Sequence, residues 1–149
     1  MSDQSRVAII TGSSRGLGKK TALTLAKEGF RVVINYKQSE RAATKLVDEI
    51  RSINGEAIAI RADVTLRKHI RRLVSETVAK WGRIDVLVNN AGPFIRERKH
   101  FASFSPQDLD LLIDGNLRSA LDMVHEVLPY MQRKKWGRII QFGFGRSEE

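Results

Sequence analysis

The sequence has no cysteine among its 149 residues and only three histidines, at His69, His100 and His125. These absences exclude disulfide bonds and thiol catalysis, and the scattered histidines show no metal-ligand spacing, so no metal site is expected. No apolar run approaches the roughly 18 residues of a membrane span, and polar Met1–Ser5 has no signal-like apolar segment behind it. We therefore expect a cytoplasmic protein without a membrane partner.

Acidic residues are few compared with basic ones, and the formal net charge is +9. Such a charge would suit nucleic-acid binding. The basic residues are nevertheless dispersed, and their densest groups have apolar neighbours at helical spacing, which is typical of solvated helix faces. No helix-turn-helix, zinc finger or stacking-aromatic pattern accompanies them, so a nucleic-acid partner is not expected.

Hydrophobic residues make up 42% of the chain, which suits one domain over residues 1–149. Short runs rich in β-branched residues, apolar at successive positions, predict strands buried on both faces. They are Val7–Ile10, Val32–Ile34, Ile58–Ile60, Val86–Val88 and Arg138–Phe142. Apolar residues at helical spacing predict helices between them, over Leu17–Glu28, Glu40–Ile53, Leu66–Trp81 and Ser105–Lys134.

Alternating strands and helices of this length predict right-handed crossovers and a parallel sheet with helices on both faces. The expected fold class is α/β: a three-layer, Rossmann-type doubly wound sheet with strand order 3-2-1-4-5. Helix-end signals support the division. Ser39 and Thr65 are predicted N-caps, Gly29, Gly55 and Gly82 are predicted left-handed residues after helices, and Ser105-Pro106 is predicted to start the fourth helix.

A glycine-rich turn, Thr11–Gly18, directly follows the first strand and opens the first helix. Glycine there permits positive φ and close approach of a phosphate, and it leaves the amides at the helix start aimed at the anion. Placement between a strand and a helix distinguishes the turn from an unspecialised glycine-rich loop. The predicted cofactor-binding residues in it are Gly12, Ser14, Arg15, Gly16, Leu17 and Gly18.

Two further motifs follow later strands: Asp63-Val64 after the third and Asn89–Gly92 after the fourth. With the T-G-x-x-x-G-x-G turn, they resemble the short-chain dehydrogenase/reductase family over essentially the whole chain, most of all its 3-oxoacyl-acyl-carrier-protein reductase branch. The resemblance implies that Asp63 and Val64 contact the adenine ring and that Asn90, Ala91 and Gly92 belong to the cofactor site. All these segments follow strands, at the sheet edge where ligands bind in such folds.

The second strand ends in Asn35-Tyr36-Lys37, without the carboxylate that an NAD-preferring site usually offers to the ribose. These three residues are predicted to contact the cofactor. Arg15 and Lys37 could bind a 2′-phosphate through charge-assisted hydrogen bonds. The predicted cofactor is therefore NADP(H).

The fourth predicted helix has an apolar stripe that also includes Asn116. The stripe consists of Leu109, Leu112, Ile113, Leu117, Ala120, Leu121 and Val124. By spacing alone, Asn116 is a core asparagine with satisfied hydrogen bonds. The resemblance instead implies a catalytic role, because Asn116-Leu117 matches the family position whose asparagine helps to hold a water of the proton relay.

The match fails at the family's remaining catalytic positions. Phe144 stands where the resemblance implies a serine, and Ser147 lies three residues too late. The Tyr-x-x-x-Lys motif is not found after the fifth strand, where the resemblance places it. Tyr130 and Lys134 have this spacing, but they fall at the end of the fourth helix, upstream of that strand, and are interpreted as a surface coincidence. We expect a fragment of a longer protein, or a truncated pseudoenzyme, with an open edge at the fifth strand and exposed apolar surface.

Three functions remain open. The first is an NADP(H)-dependent oxidoreductase that acts on a small-molecule carbonyl or secondary alcohol, with little turnover by this chain alone. The resemblance implies that the intact protein is a homodimer or homotetramer, with the fourth helix at one interface. The second is a nucleotide-binding regulatory module without catalysis, and the third is a basic nucleic-acid-binding domain.

Overall fold

The structure, a computed structural model, describes residues 5–93 and 100–143. Phe144 and Ser147 therefore lie outside the described residues. The strands are β1 (Val7–Ile10), β2 (Arg31–Tyr36), β3 (Ala57–Arg61), β4 (Val86–Asn89) and β5 (Arg138–Gln141). The α-helices are α1 (Gly16–Lys27), α2 (Glu40–Ser52), α3 (Arg67–Trp81), α4 (Pro106–Leu112) and α5 (Ser119–Lys134). A 3₁₀ turn covers Phe101–Ser103, and a π-helical segment, Ile113–Arg118, joins α4 to α5.

In the described part of the chain, the strands form one parallel sheet in the order β3-β2-β1-β4-β5, which confirms the predicted topology. β1 lies at the centre, and its Ile9 is paired with Val33 of β2 and Leu87 of β4. Successive residues of β1 are buried on opposite faces. Val7 and Ile9 pack against α3 and α5, and Ala8 and Ile10 pack against α1 and α2.

β5 differs from the other strands because all four of its residues are exposed. Ile139 and Ile140 are 37% and 43% exposed, and Phe142 just beyond the strand is 43% exposed. The apolar run predicted a strand buried on both faces, but the residues of β5 are exposed. Within the described residues, β5 is also bonded to a neighbouring strand, β4, on one side alone. In this part of the chain, β5 is therefore an edge strand with exposed apolar side chains.

The helix-end predictions are confirmed in part. Ser105 and Asp108 form a reciprocal capping box at α4, and Gly82 ends α3 in the left-handed conformation. The prediction for Gly55 is wrong, because Asn54, with φ 60°, takes the left-handed position after α2. Thr65 is not the cap of α3 either. Leu66 occupies that position, and the Thr65 hydroxyl instead donates to Asp63.

The apolar stripe predicted on the fourth helix does not form the buried face: Ile113, Leu117 and Leu121 are exposed, the last two at 58%, and the other members are half-buried. The residues actually buried recur at every fourth position. They are Gly115, Ser119, Met123, Val127 and Met131.

The dense basic group of α3, from Arg67 to Arg72, lies on the exposed surface of that helix, as its spacing predicts. Arg67 and Arg71 of α3 are mostly exposed and form ion pairs with Asp122 and Glu126 of α5, at 3.0 and 3.2 Å. Among the described residues, no helix is long and apolar enough to cross a membrane.

Candidate functional site

The carboxyl edge of the sheet brings the glycine turn against the segment that follows β4. The Thr11 hydroxyl oxygen accepts the amides of Asn90 and Ala91 at 3.0 and 2.9 Å. Asn90 Nδ2 in turn donates to the carbonyls of Thr11 and Gly12, at 3.0 and 3.1 Å. The Asn90 carboxamide therefore holds the two loops together. It borders the predicted cofactor site, but its nitrogen already donates to two protein carbonyls.

On its other side, the turn is fixed to β2 through Asn35. Its Oδ1 accepts the Gly12 amide at 3.0 Å, and its Nδ2 donates to the Ala62 carbonyl at 3.0 Å. Ser13 also bonds to β2, since its amide donates to the Asn35 carbonyl at 2.9 Å. Asn35, predicted as a cofactor contact, is only 2% exposed and uses its side chain within the protein.

The glycines of the turn are required by its geometry. Gly12 and Gly16 have φ of 60° and 58°, where other residues are strained. Gly18 has no room for a side chain, because an added Cβ would lie 2.5 Å from Asn90 Nδ2 and 2.9 Å from the Gly12 carbonyl oxygen. The turn thus fits a cradle in which a ligand phosphate can approach the backbone.

The amino end of α1 opens at this edge. Arg15, the residue before the helix, has an extended backbone and an exposed side chain, whereas Ser14 is buried. Leu17, in the first turn of α1, is 56% exposed despite being apolar. Because the first amides of a helix lack intrahelical partners, this end of α1 suits an anion, and exposed Arg15 adds positive charge beside it.

The ends of β2 and β3 are joined by an ion pair. Lys37 Nζ lies 2.8 Å from an Asp63 carboxylate oxygen, and the other Asp63 oxygen accepts the amide and hydroxyl of Thr65. Burial raises the pKa of Asp63, but the hydrogen bonds from Lys37 and Thr65 outweigh this effect and lower the pKa to about 2. Asp63 is therefore a firmly charged acceptor, and Lys37 already has a partner.

Other polar groups surround this ion pair in an open cleft of about 360 Å³. Its lining residues are Lys37, Gln38, Arg61, Asp63, His69 and Arg72. Arg61 Nε donates to the Lys37 carbonyl at 3.2 Å, and the Asp63 amide donates to His69 Nδ1 at the same distance. Tyr36 and Val64, both predicted to contact the cofactor, are nearly buried beside the cleft at 8% exposure. Burial, followed by the charge of Glu40, raises the pKa of the Tyr36 phenol.

Asn116 lies in the π-helical segment rather than on a buried helix face, and it is exposed. Its Nδ2 donates to the carbonyls of Pro93 and Leu112, each at 3.0 Å. An added Cβ at Gly92 would collide with Asn116 Oδ1, and one at Gly115 would collide with the Pro93 ring. The close approach of Gly92 and Gly115 therefore seats Asn116 directly against the segment that follows β4. The expectation of a core asparagine, based on spacing, is wrong.

Sequence reasoning missed Thr11 and Ser13, both buried polar residues that fix the turn. Ser13 Oγ donates to the Ile10 carbonyl at 2.8 Å and accepts the Asn35 amide at 3.1 Å. The available signal was small hydroxyl residues directly after a buried strand, which often bond local backbone. Among the described residues, no cluster of histidine or acidic side chains could hold a metal ion.

The sheet order, with this clamped glycine turn at the carboxyl edge, defines a Rossmann-like α/β protein. Within that class, the sequence model of the short chain dehydrogenase family matches residues 6–144. The chain belongs to the short-chain dehydrogenase/reductase family.

Particular relatives agree with this assignment. The 3-oxoacyl-[acyl-carrier-protein] reductase of Synechocystis sp. is 44% identical over 135 residues, 91% of this chain and 54% of that protein. A mutant form of a short-chain dehydrogenase/reductase from Serratia marcescens superposes with a TM-score of 0.88 at 31% identity, over 98% of this chain and 58% of the other.

A 7α-hydroxysteroid dehydrogenase solved with NADH and 7-oxo glycochenodeoxycholic acid gives a TM-score of 0.85 at 34% identity. That match covers 92% of this chain and 52% of the other. The present chain thus spans about half the length of the relatives that it matches.

Proposed function

We propose that the intact protein is an NADP(H)-dependent oxidoreductase that interconverts a carbonyl and a secondary alcohol, and that this chain supplies its cofactor site. The proposal depends on one observation above all: the glycine turn is clamped between β2 and the segment after β4, with the open amino end of α1 beside it. This arrangement suits the pyrophosphate of a dinucleotide.

The remaining contacts are assigned by position around the turn. Ser14, Arg15, Gly16 and Leu17 present the amino end of α1 to the phosphates. Asp63 and Val64, at the end of β3, flank the adenine, while Ala91 and Gly92, after β4, border the part of the cofactor beyond the phosphates. Asn90 supports both loops from between them.

The preference for NADP(H) is supported by charge. Arg15 is exposed beside α1, and Lys37 stands at the end of β2, where the sequence has no acid. The Lys37 side chain is 62% exposed although its ammonium pairs with Asp63, so it is accessible to a phosphate. Arg61 lines the same cleft and adds to its positive potential.

The bound nicotinamide would supply or accept the hydride, leaving the protein to orient the substrate and to move a proton. Asn116 is the described residue suited to the second task. Its carboxamide is fixed by the Pro93 and Leu112 carbonyls, and its Oδ1 lies beside Gly92. We propose that Asn116 helps to hold a proton-relay water, and that the chain alone shows little turnover because Tyr-x-x-x-Lys is absent and Phe144 replaces the expected serine.

The substrate class follows from the relatives only as a proposal. The Synechocystis protein is named as a 3-oxoacyl-[acyl-carrier-protein] reductase, and a 3-oxoacyl thioester is accordingly the substrate we propose to test first. We also propose that the intact protein is a homodimer or homotetramer. Leu117 of the π-helical segment and Leu121 in the first turn of α5 are both exposed, which supports an interface there.

A second candidate is a nucleotide-binding module without catalysis. Phe144 favours it, since a phenylalanine side chain cannot donate the hydrogen bond that orients a substrate oxygen.

Both candidate functions require dinucleotide binding. Titration of the purified chain with NADPH and with NADH, monitored through nicotinamide fluorescence, tests this requirement. Tight NADPH binding is expected, with weaker NADH binding. Failure to bind either dinucleotide would contradict both candidates. Reduction of a 3-oxoacyl thioester by an intact protein that contains Tyr-x-x-x-Lys would then separate the enzyme from the binding module.

A further inference from the structure

We propose that Asn35 is a positioning residue for dinucleotide binding: its buried carboxamide fixes the glycine turn in the conformation that receives the phosphates. The inference rests on the proposed function, since it concerns the same site. It assigns Asn35 a role through the turn instead of a contact with the ligand.

The carboxamide of Asn35 joins the turn to β3. Its Oδ1 accepts the Gly12 amide at 3.0 Å, while its Nδ2 donates to the carbonyls of Ala62 and Ile60 at 3.0 and 3.4 Å. Asn35 is only 2% exposed. The donor and acceptor sides of the amide are thus both used within the protein, and the side chain has little surface to offer a ligand.

The backbone of Asn35 adds a second connection to the same turn. Its carbonyl accepts the Ser13 amide at 2.9 Å, and its own amide donates to Ser13 Oγ at 3.1 Å. Ser13 Oγ donates onward to the Ile10 carbonyl at 2.8 Å. Two consecutive residues of the turn, Gly12 and Ser13, are therefore held by a single residue of β2.

These hydrogen bonds act at Gly12, where the backbone of the turn is most flexible. Gly12 has a φ of 60° and, as a glycine, can adopt many other backbone conformations at little cost. The hydrogen bond from the Gly12 amide to Asn35 Oδ1 stabilises one of these conformations. Because Gly12 and Ser13 lead directly into Ser14 and Arg15, their orientation sets the direction of the amides at the start of α1.

Geometry also explains why the residue is an asparagine. The site needs one acceptor, facing Gly12, and donors facing two carbonyls. Leucine has a similar volume but provides neither, and ionised aspartate provides acceptors only. A buried amide or carbonyl without a partner is costly, so the turn would shift to find other bonds.

The first test compares Asn35→Leu with the unaltered chain and with Thr77→Val. Thr77 is a matched control because it is fully buried and polar but bonds only within α3, at Leu73. We expect Asn35→Leu to weaken NADPH binding roughly tenfold or more, the factor that corresponds to one lost buried hydrogen bond. Thr77→Val should bind as the unaltered chain does, even where both variants melt at lower temperature. Hydrogen exchange at the Gly12 amide should accelerate in Asn35→Leu alone.

A second variant, Asn35→Asp, guards against the possibility that the leucine variant fails to fold. Burial and the Ala62 and Ile60 carbonyls would raise the pKa of the introduced carboxyl, and protonation would restore a donor toward them. The affinity of Asn35→Asp for NADPH, relative to the unaltered chain at equal pH, should therefore recover as the pH falls from about 8 to about 5. The titratable and charged groups around this end of β2 are Arg15, Lys37, Arg61, Asp63 and His69. They are the same in both proteins, so the comparison at equal pH cancels their effect.

The outcomes separate the two proposals. Absence of dinucleotide binding by the unaltered chain would overturn the proposed function together with this inference. Normal binding by the unaltered chain with equal affinity in Asn35→Leu, or an Asn35→Asp affinity ratio that does not change with pH, would overturn the positioning role alone.

Discussion

Lys37 Nζ lies 2.8 Å from an Asp63 carboxylate oxygen, and the pair joins the ends of β2 and β3. The cation proposed to bind a 2′-phosphate is thus held in place by the residue that the family resemblance assigns to the adenine ring. Replacement of Lys37 should therefore also affect Asp63, and replacement of Asp63 should affect Lys37. Separate variants test the role of each residue.

Replacement of Arg15 and Lys37 by alanine should weaken NADPH binding by about tenfold or more and NADH binding by a clearly smaller factor, because Arg15 also lies beside the pyrophosphate that both dinucleotides carry but only NADPH has the additional phosphate. Fluorescence titration with both dinucleotides measures the ratio. Lys80→Ala, in the last turn of α3 at the opposite edge of the sheet, is the control and should change neither affinity. Equal losses for both dinucleotides would contradict the assignment.

The low pKa of Asp63, about 2, predicts a pH-dependent contribution to stability. Since the pKa lies below its usual value, this stabilisation is complete above about pH 4 and is lost as the pH falls toward 2. Asp63→Asn should lower the free energy of unfolding by about 1 kcal/mol at pH 7, a modest amount because solvent screens exposed Lys37. Urea unfolding at several pH values should show this difference vanish near pH 2. A constant difference across that range would refute the prediction.

The buried Asp85 carboxylate depends on Arg83, which donates to it from Nε and Nη2 at 2.7 Å each, while the Val7 amide donates at 2.8 Å. Arg83→Met should lower the free energy of unfolding by about 3 kcal/mol, because it leaves a charge buried without its partner. The double variant Arg83→Met/Asp85→Asn should recover part of this loss, since an amide oxygen can still accept from Val7. Denaturant unfolding measures the free energy of unfolding of both variants. A double variant no more stable than Arg83→Met would contradict the prediction.

Gly18→Ala should weaken binding of both dinucleotides by more than about tenfold, because the new methyl group would displace Asn90 and the Gly12 carbonyl from their present contact. Gly143→Ala is a suitable comparison, since an added Cβ there meets nothing within 4 Å. Unchanged affinity in Gly18→Ala would show that the contact between the turn and the β4 segment does not matter for binding.

The proposed oligomer can be tested at the exposed leucines of the π-helical segment and the first turn of α5. Leu117→Glu/Leu121→Glu should shift the intact protein to a smaller species in sedimentation or light scattering, because two exposed leucines are replaced by charges. Ile53→Glu alters an exposed apolar residue at the end of α2 and should leave the assembly unchanged. If the intact protein keeps its size with both leucines replaced, the interface lies elsewhere.

The sequence alone determined the elements and their order, because burial imposes a period on each one. Two-sided burial of central strands gives continuous apolar runs, as in Val7–Ile10, and one-sided burial gives the helical spacing of α3. The glycine turn was equally readable, since positive φ and close approach restrict the residue at the position itself. Topology then followed from the handedness and length of the crossovers.

Tertiary structure alone decided what the polar side chains do. Asn35 bonds to Gly12, 23 residues away, and Asn90 bonds to Thr11, 79 residues away. The pairing of Lys37 with Asp63 likewise depends on β2 lying beside β3. In the helix that includes Asn116, the face that packs on the core contains Ser119, Met123 and Val127 and is offset from the apolar stripe. Local patterns indicate which helices and strands form, but hydrogen bonds have a reach of about 3 Å, and their partners are fixed only when the fold brings distant segments together.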